Sequence, residues 1–197
     1  DREEARRAAL EGIIGESDQL IRTFNALLMI SRVEAGSMAA EMSDVDLSAV
    51  SADSAELYEP VAEEAGLALE TDIPLGIVVN GNRELIGQAI FNLLDNAMKF
   101  SGPSGHVVIA ARREGANVLV QVEDDGPGIP RQDLVRIFDP FFRASRTDRV
   151  AAGSGLGLAI ARGLTRAMGG DIAAESPVRD GKGTRMSLRF PIQGNGA

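Results

Sequence analysis

Cysteine is absent from these 197 residues, and histidine occurs once. The first absence removes disulfide frameworks and thiolate chemistry, and it fits a reducing compartment. The two together nearly exclude a zinc site of the usual Cys/His kind. Positive charge is scarce too: the formal net charge is −9, which leaves no basic surface for a nucleic-acid backbone and points to solubility. No apolar stretch approaches the roughly 20 residues of a membrane-spanning helix, and no signal peptide opens the chain. What is present is ordinary for a globular protein, with 44% hydrophobic and 25% charged residues. The length suits one domain of about 100–150 residues plus a smaller appendage. The chain starts at Asp1 inside a helical pattern, so it reads as a piece of something longer.

Residues 3–35 carry that pattern. Leu10, Ile13, Ile14, Leu20, Ile21, Phe24, Leu27 and Leu28 form an apolar stripe in which the pairs 13/14, 20/21 and 27/28 recur every seven residues. Ser17, Gly12 and Gly15 weaken the stripe. A helix with so wide an apolar face needs a partner, either its own domain or, as we read it, a bundle. Gly36 suits a helix C-cap, and residues 36–46 form a small, polar linker. A helix over 47–65 ends at Gly66, and strands follow at 67–71 and 77–79. Asn82 caps a helix that runs to Phe100 and buries Leu85, Ile86, Ala89, Ile90, Leu93, Leu94 and Ala97. Strands at 107–112 and 118–123 make a hairpin through Glu114-Gly115-Ala116, and 130–137 is a short helix opened by proline. Residues 138–155 lack any period and read as loop. A helix over 156–168 stops at Gly169-Gly170, and a last hairpin joins 172–175 to 184–190. This order predicts an α+β sandwich, a mixed sheet covered on one face by helices.

Three segments carry candidate chemistry. Asn92 and Asn96 lie four apart, hence on one helix face, and Lys99 joins them three residues on. Two mediocre helix formers among Leu and Ala can be a plain polar stripe. Alternatively, a side-chain carbonyl donates oxygen to Mg²⁺, with Lys99 as a point charge for phosphate. Glu123-Asp124-Asp125-Gly126-Pro127-Gly128-Ile129 follows a strand. It is a tight turn in the bland reading. In the functional one the glycines admit a ligand to the backbone and Asp125 accepts from an exocyclic amine such as adenine's. Gly153-Ser154-Gly155-Leu156-Gly157-Leu158 runs into a helix, where bare N–H groups and the helix terminus suit phosphate. Neither a dinucleotide fingerprint nor a P-loop is present. Between the turns stands Phe138-Asp139-Pro140-Phe141-Phe142-Arg143. Its phenylalanines read as a satellite core or as an aromatic hinge for a lid, with Arg143, Arg146 and Arg149 able to swing toward phosphates.

In this order the segments resemble the ATP-binding catalytic domain of two-component sensor histidine kinases. Asn92 to Phe100 is similar to that family's N box, Asp125 to Gly128 to its G1 box, Phe138 to Arg143 to its F box and Gly153 to Leu158 to its G2 box. The resemblance implies a Bergerat-type two-layer sandwich over 47–192 that holds Mg-ATP under a flexible lid, with a tail at 193–197. Residues 1–36 resemble the second helix of the family's dimerisation and phosphotransfer hairpin, and 37–46 a linker. By matched position Asn96 would hold Mg²⁺, Asn92 and Lys99 would approach the phosphates, and Asp125 would read adenine. Phe100, Gly126, Gly128, Ile129, Phe138, Phe142, Arg143 and Gly153 to Leu158 would line the nucleotide. The family also implies a homodimer through the hairpin helices, a response-regulator receiver domain as partner, ADP as product and a cytoplasmic location for this portion of a protein that the inner membrane can anchor.

One departure matters. The family's acceptor histidine stands in a His-Glu/Asp box, and this sequence has no such box. His106 opens a strand and is not assigned as phosphoacceptor. The related gyrase-, Hsp90- and MutL-like hydrolases place a glutamate four residues before the metal-binding asparagine. Here Asn92 stands there, an amide that cannot act as general base. The expected function is therefore phosphoryl transfer to a histidine other than His106. A non-catalytic ATP-sensing module and a hydrolase are the alternatives.

Overall fold

The computed structural model describes Arg6, Phe24, Leu28 and Ser31, all helical and exposed, and residues 42–102, 104–144 and 154–192. The bundle helix expected over 3–35 otherwise lies outside the described residues, as do 37–41, Arg146, Arg149, Gly153 and the tail.

Strand β1 (Ser43–Asp46) leads into helix α1 (Leu47–Ala65). The Asp46 carboxylate accepts from Ala49 N–H at 3.0 Å and so fixes the first turn. Gly66, at φ 67°, ends the helix by returning its N–H to the carbonyls of Ala62 and Glu63. Strands β2 (Ala68–Asp72) and β3 (Val78–Gly81) precede helix α2 (Arg83–Phe100). There Asn82 caps as its sequence position predicts, its side chain accepting from Glu84 and Leu85 N–H. Then come β4 (His106–Glu114), β5 (Asn117–Asp124), the single turn α3 (Arg131–Leu134), α4 (Gly157–Ala167), β6 (Asp171–Glu175) and β7 (Thr184–Pro191).

Five strands form one sheet in the order β2-β4-β5-β7-β6, with β2 and β4 parallel and every other pair antiparallel. The period-2 alternation sends Val107, Ile109 and Ala111, Val118, Val120 and Val122, and Met186, Leu188 and Phe190 inward. They meet Leu85, Ile86, Ala89, Ile90, Leu93, Leu94 and Ala97 of α2, and Ile160, Ala161 and Leu164 of α4. Each fully buried Leu, Ile or Phe contributes roughly 1.5–3 kcal/mol against its exposed state. The opposite sheet face is polar: Arg185 joins Glu123 at 2.7 Å and Glu175 at 3.0 Å, and Gln121 donates to Ser187 at 2.8 Å. The fold is the expected α+β sandwich, helices over one face of a mixed sheet.

One boundary differs. Ser43–Asp46, read from the sequence as linker, is a strand paired antiparallel with β3, Ser43 opposite Gly81 and Asp46 opposite Val78. Only Val45 of the four is buried, so the sequence has no alternation to announce the strand; its partner creates it.

Candidate functional site

The three glycine- and amide-bearing segments converge around the C-terminal half of α2. Asn92 and Asn96 are half-buried on that helix. A Cβ placed on Gly157, the first residue of α4, would stand 3.8 Å from Asn92 Oδ1, so the two helices meet where the amide projects. Asn92 Nδ2 is buried and has no hydrogen-bond partner. A buried donor left open costs about 1–3 kcal/mol, and such a group marks a place for an acceptor that the protein itself does not supply.

The turn after β5 packs directly on the end of this helix. A Cβ on Gly126 would come within 2.5 Å of Phe100 O, a backbone atom that cannot yield, so only glycine lets the turn approach. Gly128 sits at φ 74° beside Ser176. Ile129 N–H donates to Ser176 Oγ at 2.7 Å. The F-box backbone closes on the last turn: Phe141 N–H donates to Gly155 O at 3.0 Å, and a Cβ on Gly155 would stand 2.8 Å from Phe142 O. Phe138 and Phe142 pack against the core, while Phe141 is exposed. The Arg162 guanidinium lies 5.8 Å from the Phe138 ring centroid and that of Arg136 4.6 Å from Phe142's. Arg143 is exposed and Ser154 half-buried. Leu156 is buried beneath the turn and Leu158 is packed against the core.

Two of the expected residues have neighbours that the sequence did not announce. Lys99 does not stand alone beside the amides; its ammonium reaches back one turn to Asp95 Oδ2 at 2.6 Å. Opposite charges four apart on a helix meet in this way. Of the two adjacent carboxylates, Asp124 is half-buried and Asp125 is exposed. Val118, Val120 and Val122 point inward, and the same parity carries Asp124 inward while Asp125 stays exposed. Asp125 Oδ1 lies instead 2.9 Å from the place a Cβ on Gly105 would take. Gly126 N–H donates to Asp124 Oδ1 at 2.9 Å. Burial pushes the Asp124 carboxyl up to about 6, and the Asp125 and Glu123 charges add to this; the N–H groups of Gly126 and Thr184 pull the other way. Sequence reasoning gave no role to Asp124, Ser176 or Gly183, although strand parity marks the first as inward-facing.

Elsewhere on α1, burial chiefly, and the Asp95 charge next, push the Tyr58 phenol up. His106 is engaged by Glu70, Nε2 to Oε2 at 3.1 Å. Among the described residues no group of three or more His, Cys, Asp or Glu gathers to hold a metal, and no helix is long and apolar enough to cross a membrane.

Residues 81–194 match the family described as histidine kinase-, DNA gyrase B-, and HSP90-like ATPase. The sensor-like histidine kinase SenX3 of Mycobacterium tuberculosis is 33% identical over 192 residues, 97% of this chain and 46% of that protein. The structure of a mycobacterial sensor histidine kinase, MprB, aligns with a TM-score of 0.67 at 31% identity, over 76% of this chain and 97% of that one. Full-length ShkA in complex with AMPPNP aligns at 0.76 and 27% identity, over 94% of this chain and 38% of that one. The chain thus spans about half the length of the curated relatives it matches.

Proposed function

Since the chain belongs to the histidine kinase-, DNA gyrase B- and HSP90-like ATPase family, as the ATP-binding catalytic core of a sensor histidine kinase, we propose that it delivers the γ-phosphoryl of Mg-ATP to a histidine other than its own His106. The observation that carries this reading is the side chain at position 92. It is an amide with a buried, unpartnered Nδ2 at the junction of α2 and α4. Such a group donates to a phosphate oxygen and cannot deprotonate water. ATP is therefore held rather than spent, which suits a kinase whose work is positioning and charge neutralisation.

The residues present fit both the nucleotide and its metal. Asp124 accepts from the exocyclic amine of adenine in the cradle that Gly126 and Gly128 leave open. Asn92 Nδ2 meets a phosphate oxygen, and the first N–H groups of α4 face the same charge. Asn96 offers its amide oxygen to Mg²⁺, which keeps few protein ligands and neutralises phosphate charge when bound. Lys99 exchanges its Asp95 partner for phosphate. The acceptor imidazole needs little activation at neutral pH, and the phosphoryl group passes on to the receiver domain of a response regulator. The family hairpin, to which residues 1–36 would contribute one helix, supplies the dimer.

The test adds a separate hairpin fragment bearing its histidine, with labelled ATP. Label on that fragment is the expected result. Tight ATP binding with no transfer would leave a non-catalytic sensor, and partner-independent turnover would mark a hydrolase.

A further inference from the structure

Ser176 follows the last residue of β6, outside every segment assigned above to the nucleotide. The residue is 7% exposed, yet both hydrogen-bonding directions of its hydroxyl are used. Oγ accepts from Ile129 N–H at 2.7 Å and donates to Gly183 O at 2.8 Å. Gly183 N–H in turn donates to Gly126 O at 2.8 Å. The turn from Gly126 to Ile129 is therefore tied at both its ends to one loop, 176–183, through a single serine and a single glycine.

The loop can reach the turn because no side chain intervenes. Gly128 lies at φ 74°, and a Cβ there would stand 3.0 Å from Ser176 Oγ and 3.3 Å from Gly183 O. Gly183 lies at φ 79°, and its Cβ would stand 2.7 Å from Asp124 O. Asp124, the last residue of β5, and Thr184, the first of β7, are register partners, so the loop joins the sheet opposite the residue that carries the site's carboxylate.

We propose that Ser176 is a positioning residue for the base-binding half of the site: its hydroxyl locks the Gly126–Ile129 turn so that the Asp124 carboxylate and the neighbouring backbone are set for the adenine ring before nucleotide arrives. This rests on the ATP reading above. The phosphate half, built on Asn92, Asn96 and the start of α4, has no hydrogen bond to this loop among those described. Loss of the hydroxyl therefore acts on one end of the ligand only.

The experiment measures binding of Mg-ATP and of magnesium tripolyphosphate, which lacks base and ribose, to the whole chain and to Ser176→Ala. The expected result is about tenfold weaker ATP binding, the equivalent of one buried hydrogen bond, with tripolyphosphate binding unchanged. Ser176→Thr, which keeps the hydroxyl, restores ATP affinity. Equal weakening of both ligands, or of neither, overturns the proposal. Should Ser176→Ala fail to fold, hydrogen exchange on the unmodified chain decides. Ile129 N–H protected before nucleotide is added supports a preset turn, and protection that appears only with ATP overturns it. If the unmodified chain binds no ATP, the ATP reading falls; if it binds ATP and the serine is indifferent, only this inference falls.

Discussion

The backbone N–H of Gly126 donates to Oδ1 of Asp124 at 2.9 Å, so the turn closes over the carboxylate that begins it. The bond favours the ionised carboxyl, yet burial outweighs it and holds the group near 6 instead of 3.8. The proposed adenine acceptor is thus a charge the fold would rather not bury.

The sign of the resulting pH dependence follows. With its folded value raised, the Asp124 carboxyl contributes stability that is complete below 3.8 and is lost as pH rises through about 6. Asp124→Asn removes that loss. Discounted for the group's partial exposure, the variant is more stable at pH 8 by on the order of 1–2 kcal/mol, an advantage that vanishes near pH 4. Urea unfolding at the two pH values checks the difference. The same variant binds ATP weakly, so the stability gain and the binding loss arrive together.

Asn96→Asp adds a negative charge beside the proposed phosphate site while keeping size and helix position. Mg-ATP affinity falls about tenfold or more, and the circular dichroism spectrum is unchanged. Titration with Mg-ATP and with metal-free ATP separates the two contributions. An unchanged affinity for Mg-ATP removes the metal role from Asn96.

Gly155 and Gly163 offer a matched pair. At Gly155, φ is 71° and a Cβ would meet the Phe141 carbonyl carbon at 2.8 Å. Gly155→Ala is therefore strained in its backbone and pushes the F-box backbone away, at a cost of about 1–3 kcal/mol and with loss of nucleotide binding. Gly163 lies within α4, and a Cβ there meets nothing within 4 Å. Gly163→Ala raises stability by up to about 1 kcal/mol and leaves binding alone. Thermal unfolding with and without Mg-ATP reads both.

Much of this fold was legible because single positions make it. The seven apolar residues read as the inner face of α2 fall on a helical period and are all buried, and Asn82 and Gly66 cap where their chemistry predicts. The N-box amides were legible as polar intruders in that stripe. What escaped depended on partners. Asp124 and Asp125 are alike as residues, and only the inward parity of Val118, Val120 and Val122 separates them. Lys99 was read by its helix face alone, and its contact with Asp95 one turn back went unread. Ser176 and Gly183 are ordinary loop residues until the fold sets them against Gly126 and Ile129, 47 positions away in the case of Ser176 and Ile129.

The small ladder of β1 on β3 has a mechanical meaning. Ser43 is bonded across to Gly81, and Gly81 runs straight into Asn82, whose side chain holds the first turn of the helix bearing Asn92 and Asn96. Load entering at Ser43 and resisted at Asn82 acts at one end of the antiparallel ribbon, so it peels the ladder from the Ser43–Gly81 rung. It reaches the foot of the N-box helix without crossing the five-stranded sheet.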